Sequence, residues 1–443
     1  MIEILLSAVC LLADDGGLPA FPGAEGFGTH TPGGRGGRVM EVTTLEDGGP
    51  GSLRAAAEAE GPRLVVFRIG GTIEVKSPIR VLHPYLTLAG QTAPGGGITL
   101  KNAPSNLFAP LQIKTHDVVV RHLRSRPGPS GKPSENVDAL TIADPERKVY
   151  NVVVDHCSFS WSLDEVVNSW YDARDITVQW CVMSEALYRS TQPKTEDAGG
   201  GKGPLFGGKG GGRVSLHHNL IAHNVGRNPM IKGEDVFDLV NNVIFIPRTV
   251  EAVVDGELGI PRVNFVGNTV LAPNGDGQVY GLWVLGSRPV SLFVRGNRGP
   301  HRPNDDLDEA AIVRPANRAR EQIVPRRHES PAVTSSSAAA LEDVLREAGC
   351  TRPVRDDADR RIVQDVRDGR ARVVNDPSEV GGWPALDRGV PSADSDRDGM
   401  PDDWEKRHGF DPADPVDGAR DADGDGYTNV EEFLNLTDPH RKG

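Results

Sequence analysis

Apolar residues recur at alternate positions through the middle of the chain, and each pair is followed three positions later by a small or amide residue. Val152, Val154 and Cys157 set the pattern, and Ile176, Val178 and Cys181 repeat it. Val214, Leu216 and Asn219 carry it on, followed by Phe237, Leu239 and Asn242, by Val263, Phe265 and Asn268, and by Leu292, Val294 and Asn297. Looser copies stand upstream at Val118, Val120 and Leu123 and at Leu86, Leu88 and Gln91. From Cys157 onward the third positions lie 24, 38, 23, 26 and 29 residues apart. Alternation predicts strands with one buried face. A period in the twenties, with insertions in some copies, predicts a solenoid whose loops project sideways. The spacing of two excludes a helical solenoid. A β-sandwich also alternates, but it would show tight hairpin turns and no amide at a fixed offset. The expected fold is therefore all-β, a right-handed parallel β-helix, with Asn219, Asn242, Asn268 and Asn297 stacked as an amide ladder inside one turn.

This pattern divides the chain. Residues 2–13 are apolar but carry Glu3 and no basic flank. They are too short to span a membrane and resemble the hydrophobic part of an export signal that lacks its charged start, with cleavage after Ala13 or Ala20. A packed or disordered N-terminus is the alternative. The expected organisation is an export segment over 1–20, the solenoid over 21–300, a strap or linker over 301–391 and a separate tail over 392–443. Gly-rich turns mark 23–37, and Ser52 and Leu53 open a short capping helix running to about Glu60. In 301–391 proline and charge rise, and two helical patterns fall at 337–349 and 357–369.

Charge changes the picture in one place. The formal net charge is -13, but residues 394–443 hold 15 Asp/Glu against 6 Lys/Arg, a balance of -9 that leaves -4 for the rest. The body is close to neutral and need not repel an anionic polymer. No basic stripe points to nucleic acid. Four cysteines give no disulfide framework. Cys157 and Cys181 take equivalent places in neighbouring copies and read as buried thiols, within disulfide reach of each other.

The tail carries its own chemistry. Asp394, Asp396, Asp398, Gly399, Asp402 and Glu405 match positions one, three, five, six, nine and twelve of an EF-hand loop, and Asp421, Asp423, Asp425, Gly426, Asn429 and Glu432 match them again. Carboxylates supply hard oxygen ligands, the glycine permits the sharp turn, and the final Glu can bind bidentately. Two copies 27 residues apart predict Ca²⁺ binding. The module could stabilise the chain, attach it to a surface or dock a cohesin-like partner; loop chemistry does not choose among these.

Candidate chemistry in the body lies on loops beside the strands. Asp138 precedes one strand, and Asp164 and Asn168 follow the next. One rung of a solenoid is about 4.8 Å, so the three can converge, and their oxygens suit calcium rather than zinc. Lys202 precedes a strand copy, and Arg227 and Lys232 follow it. Taken alone these cations also read as ordinary surface groups. His156, His217 and His218 read as packed, hydrogen-bonded residues. No acid pair with a matching histidine–glycine loop supplies glycosidase chemistry.

The segments Phe21-Pro-Gly-Ala-Glu-Gly-Phe-Gly-Thr, Gly-Pro-Gly-Ser-Leu-Arg54, Val65-Val-Phe-Arg-Ile-Gly-Gly-Thr72, Val152-Val-Val-Asp-His-Cys-Ser-Phe-Ser and Arg227-x-Pro229 together resemble the pectate lyases of polysaccharide lyase family 1, across about residues 21–300. The resemblance implies a secreted enzyme that cleaves polygalacturonate by calcium-dependent β-elimination. On the matching positions it implies Asp138 and Asp164 as calcium ligands, Lys202 as a binder of the uronate carboxylate and Arg227 as the base, with Lys232 in place of a substrate-binding arginine. Two further positions depart from the family pattern. Asn168 stands where a third carboxylate is common, with Glu165 or the substrate carboxylate able to compensate, and Met230 stands where an arginine is common. These departures leave open a lyase of methylated pectin or another uronan, or a non-catalytic calcium-binding solenoid for adhesion.

Overall fold

The computed structural model describes residues 17–442 except 133, 135, 190–199, 249, 276 and 335–339. The apolar segment 2–13 and the start of the 337–349 helical pattern fall outside the described residues. Among the described residues every pairing between named strands is parallel, and three sheets of ten, eight and eight strands run the length of a β-solenoid. The repeated apolar pairs lie on the ten-stranded sheet in strict register: Val118, Val152, Ile176, Val214, Phe237, Val263 and Leu292 follow one another from rung to rung. Their alternation buries each of these side chains in one continuous core. The looser copy at Leu86 and Leu88 is in the same register.

The third residue of each copy stands at the corner where the ten-stranded sheet gives way to the next. There the amide ladder is present. Asn219 donates from its backbone N (3.1 Å) and Nδ2 (3.0 Å) to Oδ1 of Asn242, which does the same to Asn268, and Asn268 to Asn297. Asn219 Oδ1 accepts from the Cys181 backbone (2.9 Å), and Cys157 and Cys181 extend the stack as free, buried thiols. The residue just before the ladder is left-handed in rung after rung: His122, His156, Trp180, His218 and Asn241 have φ between 49° and 54°. That conformation turns the chain sharply enough for the ladder residue to point inward. It also places His122, His156, Trp180 and His218 in a ring stack on the outside, where His156 Nδ1 bonds Asp155 (2.9 Å). His217 is fully buried.

Two of the three faces are covered. Residues 20–31 lie across the outer face of the ten-stranded sheet, where Gly28 N donates to Thr177 Oγ1 (2.9 Å) and Phe27 N to Ser215 Oγ (3.1 Å). A side chain on Gly28 would drive its Cβ to 2.5 Å from the Val152 carbonyl, so only glycine allows this approach. The first rung strand is Arg38–Val42, and the helix Leu53–Ala57, capped by Ser52, buries Leu53, Ala56 and Ala57 over that end. Helices Ala340–Glu347 and Asp357–Arg367 bury Val344, Leu345, Ile362 and Val366 against Val182, Leu220, Val243 and Phe245 of one eight-stranded sheet. The fully buried Arg126 guanidinium bonds Asp356 and Asp359 beneath them. The other eight-stranded sheet borders a groove of about 1020 Å³.

Candidate active site

That groove is built on the strands Ile79–Val81, Leu111–Ile113, Leu140–Ile142, Val167–Ser169, Leu205–Gly207, Met230–Lys232, Ala252–Asp255 and Leu282–Leu285, stacked in this order. Parallel stacking turns sequence distance into rung distance. Thr141, Asn168, Leu205, Met230 and Val253 are consecutive register partners. The segments just before these strands stack too, through bridges from Glu165 to Lys202 and from Lys202 to Gly226. Asp138, Asp164, Asn168, Lys202, Arg227 and Lys232 therefore all line one groove.

Asp138, Asp164 and Glu165 bring one carboxylate oxygen each within 4.8 Å of one another. Asp138 is buried and accepts from Thr141 Oγ1 (2.8 Å), Asn168 Nδ2 (2.6 Å) and the Glu165 backbone (3.0 Å). Burial, aided by the charge of Asp164, pushes the Asp138 carboxyl up to about 8. Lys202 Nζ meets Asp164 Oδ1 at 2.5 Å, and Arg227 forms an ion pair with Glu165. Burial lowers the Arg227 guanidinium, against the opposing charges of Asp164 and Asp138. Lys232 bonds Glu257 and lies 3.3 Å from Asp255; burial would lower its ammonium, but these partners outweigh burial and hold it above the usual value.

Glu165, named in the sequence only as a possible compensator, is thus the third acid of the cluster. Adjacent residues on a strand face opposite ways, which hides Glu165 beside Asp164; both precede the strand Val167–Ser169, in a turn where that rule lapses. Asn168 presents its amide nitrogen to Asp138, and its Oδ1 is buried without a donor among the described residues. Three carboxylates and an unpartnered amide oxygen, with no thiol or imidazole, are a hard oxygen set that fits calcium. Met230 is buried to 9% exposure in the groove wall. Arg80, Lys114 and Arg147 add positive charge along the groove, and Trp170 and Tyr171 add rings; none of these had a motif to mark it.

The tail loops are also gathered. Asp394, Asp396 and Asp398 converge, and Asp398 converges again with Glu405 and Asp417. Asp421, Asp423 and Asp425 form the second loop's cluster, with Glu432 buried nearby in sequence. Asp402 and Asn429 each accept from the backbone N of their loop's second residue, Ser395 (2.7 Å) and Ala422 (3.2 Å). They tie the loop start to the following helix.

Among relatives, the probable pectate lyase C of Aspergillus flavus is 35% identical over 445 residues, covering 98% of this chain and 98% of the relative. The probable pectate lyase C of Emericella nidulans is 33% identical over 458 residues, covering 99% and 97%. The major allergen from cedar pollen overlays with a TM-score of 0.49 at 18% identity, over 74% of this chain and 92% of that one. No protein-family profile matches the chain. On the full-length similarity, the chain belongs to the pectate lyase family, enzymes of the polysaccharide lyase class.

Proposed function

We propose that the chain is a secreted lyase that cleaves polygalacturonate by calcium-assisted β-elimination. The observation that carries this reading is the convergence, on one solenoid face, of three carboxylates, two lysines and a desolvated arginine. Asp138, Asp164, Glu165 and the Asn168 amide oxygen would hold the calcium ion. When bound, it draws charge from the uronate carboxylate and so acidifies the hydrogen on C5.

The chain's own residues do the rest. Lys202 and Lys232 bind substrate carboxylates and fix the sugar along the groove. Arg227, as the neutral guanidine, takes the C5 proton and becomes guanidinium, the C4–O bond breaks as the C4–C5 double bond forms, and the leaving oxygen takes a proton from solvent water. A guanidinium in water is a poor base. Here burial favours its neutral form, while the pairing with Glu165 opposes it, so Arg227 must leave Glu165 before it can accept a proton. High pH favours that state, and activity should rise on the alkaline side.

The test is ultraviolet absorbance of unsaturated product from polygalacturonate at alkaline pH, with calcium or with excess chelator. Calcium-dependent growth supports the proposal; no product from folded protein on any uronan would replace it with the adhesion reading. The apolar Met230 in the groove wall favours one second reading, tolerance of methyl-esterified galacturonate, and the same assay on methylated pectin decides it.

A further inference from the structure

The tail is not held at a distance from the enzyme. Met400, Trp404, Val430 and Leu434 pack on Leu64, Val66 and Ala89, which project from the outer face of the first rungs. Arg35, in the segment before the first strand, bonds Glu431 at 2.9 Å; Arg121 of the ten-stranded sheet bonds Asn435 at 2.7 Å; and Arg68 bonds the Ser392 carbonyl at 2.5 Å. The first loop sits at this seam, with Asp394 3.9 Å from Arg68.

Several carboxylate oxygens of that loop are buried without a hydrogen-bond donor among the described residues. Glu405 is 0% exposed, and neither of its carboxylate oxygens has a hydrogen-bond donor among the described residues. One oxygen each of Asp394, Asp396, Asp398 and Asp417 is in the same condition. Burying an unpaired carboxylate is costly unless a cation or proton compensates. Asp417 lies outside the loop motif, twelve positions past Glu405, on the short turn Asp417–Ala419. It is brought in because Gly418 comes so close that a Cβ there would stand 2.3 Å from Asp398 Oδ2. Asn429 of the second loop holds the turn from behind, through a 2.8 Å bond to the Asp417 carbonyl.

We propose that Asp417 joins Asp394, Asp396, Asp398 and Glu405 as a ligand of one calcium ion, and that this ion clamps the tail onto the first rungs of the solenoid. Five carboxylates around one centre suit a large divalent cation with many oxygen ligands better than magnesium, which demands near-ideal octahedral geometry. The tail is then an internal brace of this chain. The inference does not depend on the chemistry proposed for the groove.

Hydrogen exchange of the full-length protein, with calcium chloride or with chelator, tests it. Calcium should slow exchange about tenfold or more in residues 394–436 and, across the seam, in strands Arg38–Val42 and Arg63–Phe67. Asp417→Asn and Glu405→Gln should each abolish that response and lower the calcium stoichiometry by one. Asp138→Asn, in the groove, should leave it intact. A parental tail indifferent to calcium, an Asp417→Asn protein that responds like the parent, or protection that stops at the seam would each overturn the proposal. Should Glu405→Gln not fold, the parental comparison and Asp417→Asn decide alone.

Discussion

Asn242→Ala removes one step of the amide ladder, and the cost can be worked bond by bond. Asn242 is 2% exposed. Its Oδ1 accepts from Asn219 N and Nδ2, and its Nδ2 donates to the Leu216 carbonyl at 2.8 Å and to Asn268 Oδ1 at 2.9 Å. Alanine leaves two donors on Asn219 and one carbonyl on Leu216 without partners in a dry interior. At about 1–3 kcal/mol for each stranded group, partly relieved by relaxation, the loss should be about 4 kcal/mol, roughly a thousandfold in the unfolding equilibrium. Urea denaturation should show it as a lower midpoint at unchanged slope. Because the ladder lies at a corner away from the groove sheet, turnover at room temperature should stay within about twofold of the parent. Asn268→Ala, combined with it, should show a coupling of about 1 kcal/mol or more, since the two share a bond. A loss under about 1 kcal/mol, or strict additivity, would refute the ladder as a stabilising unit.

Three further outcomes follow from the groove and the buried histidines. Arg227→Lys keeps a positive charge but not the guanidinium geometry, and turnover should fall by about 10²–10⁴ with a modest change in KM; near-parental turnover would remove Arg227 as the base. Asp138→Asn should raise the calcium needed for half-maximal activity about tenfold or more, because it removes one negative ligand of the groove site, and equilibrium dialysis should show the same weakening without any substrate present. Burial lowers His217 to about 3 and His218 to about 4, so the folded chain holds them neutral while the unfolded chain protonates them near 6.5. Their contribution to stability is complete above about pH 6.5 and is lost as pH falls toward 4, about 3 kcal/mol for His218. His218→Asn, which tolerates the left-handed backbone, should flatten that part of the stability–pH curve; an unchanged curve would remove His218 as its source.

The solenoid was legible because each rung repeats one local rule, apolar at two alternate positions and an amide or thiol three later. Stacking converts that rule directly into register, and the same conversion made the groove legible: Asp138, Asp164, Asn168, Lys202, Arg227 and Lys232 are far apart in sequence but within a few rungs of one another. What escaped is what the repeat does not encode. Residues 20–31 lie over the outer face of the ten-stranded sheet, an arrangement that depends on glycines meeting strands more than a hundred residues away. The left-handed corner is glycine at Gly267 and Gly296 but His, Trp or Asn at His122, His156, Trp180, His218 and Asn241, so in those five rungs it left no turn signature. Glu165 was obscured by its neighbour, and Asp417 by a motif that ends at Glu405.

The packing of the tail also has a consequence for how the chain is made. Rungs depend mainly on their immediate neighbours, so a solenoid can assemble as it leaves the ribosome. The bond between Arg35 and Glu431 joins residues 396 apart, and the patch around Leu64 and Val66 is covered by helices that are synthesised after the whole solenoid. Until then the first rungs display their apolar outer face. A chain lacking both tail helices would contain a finished groove and a bare apolar face at its first rungs.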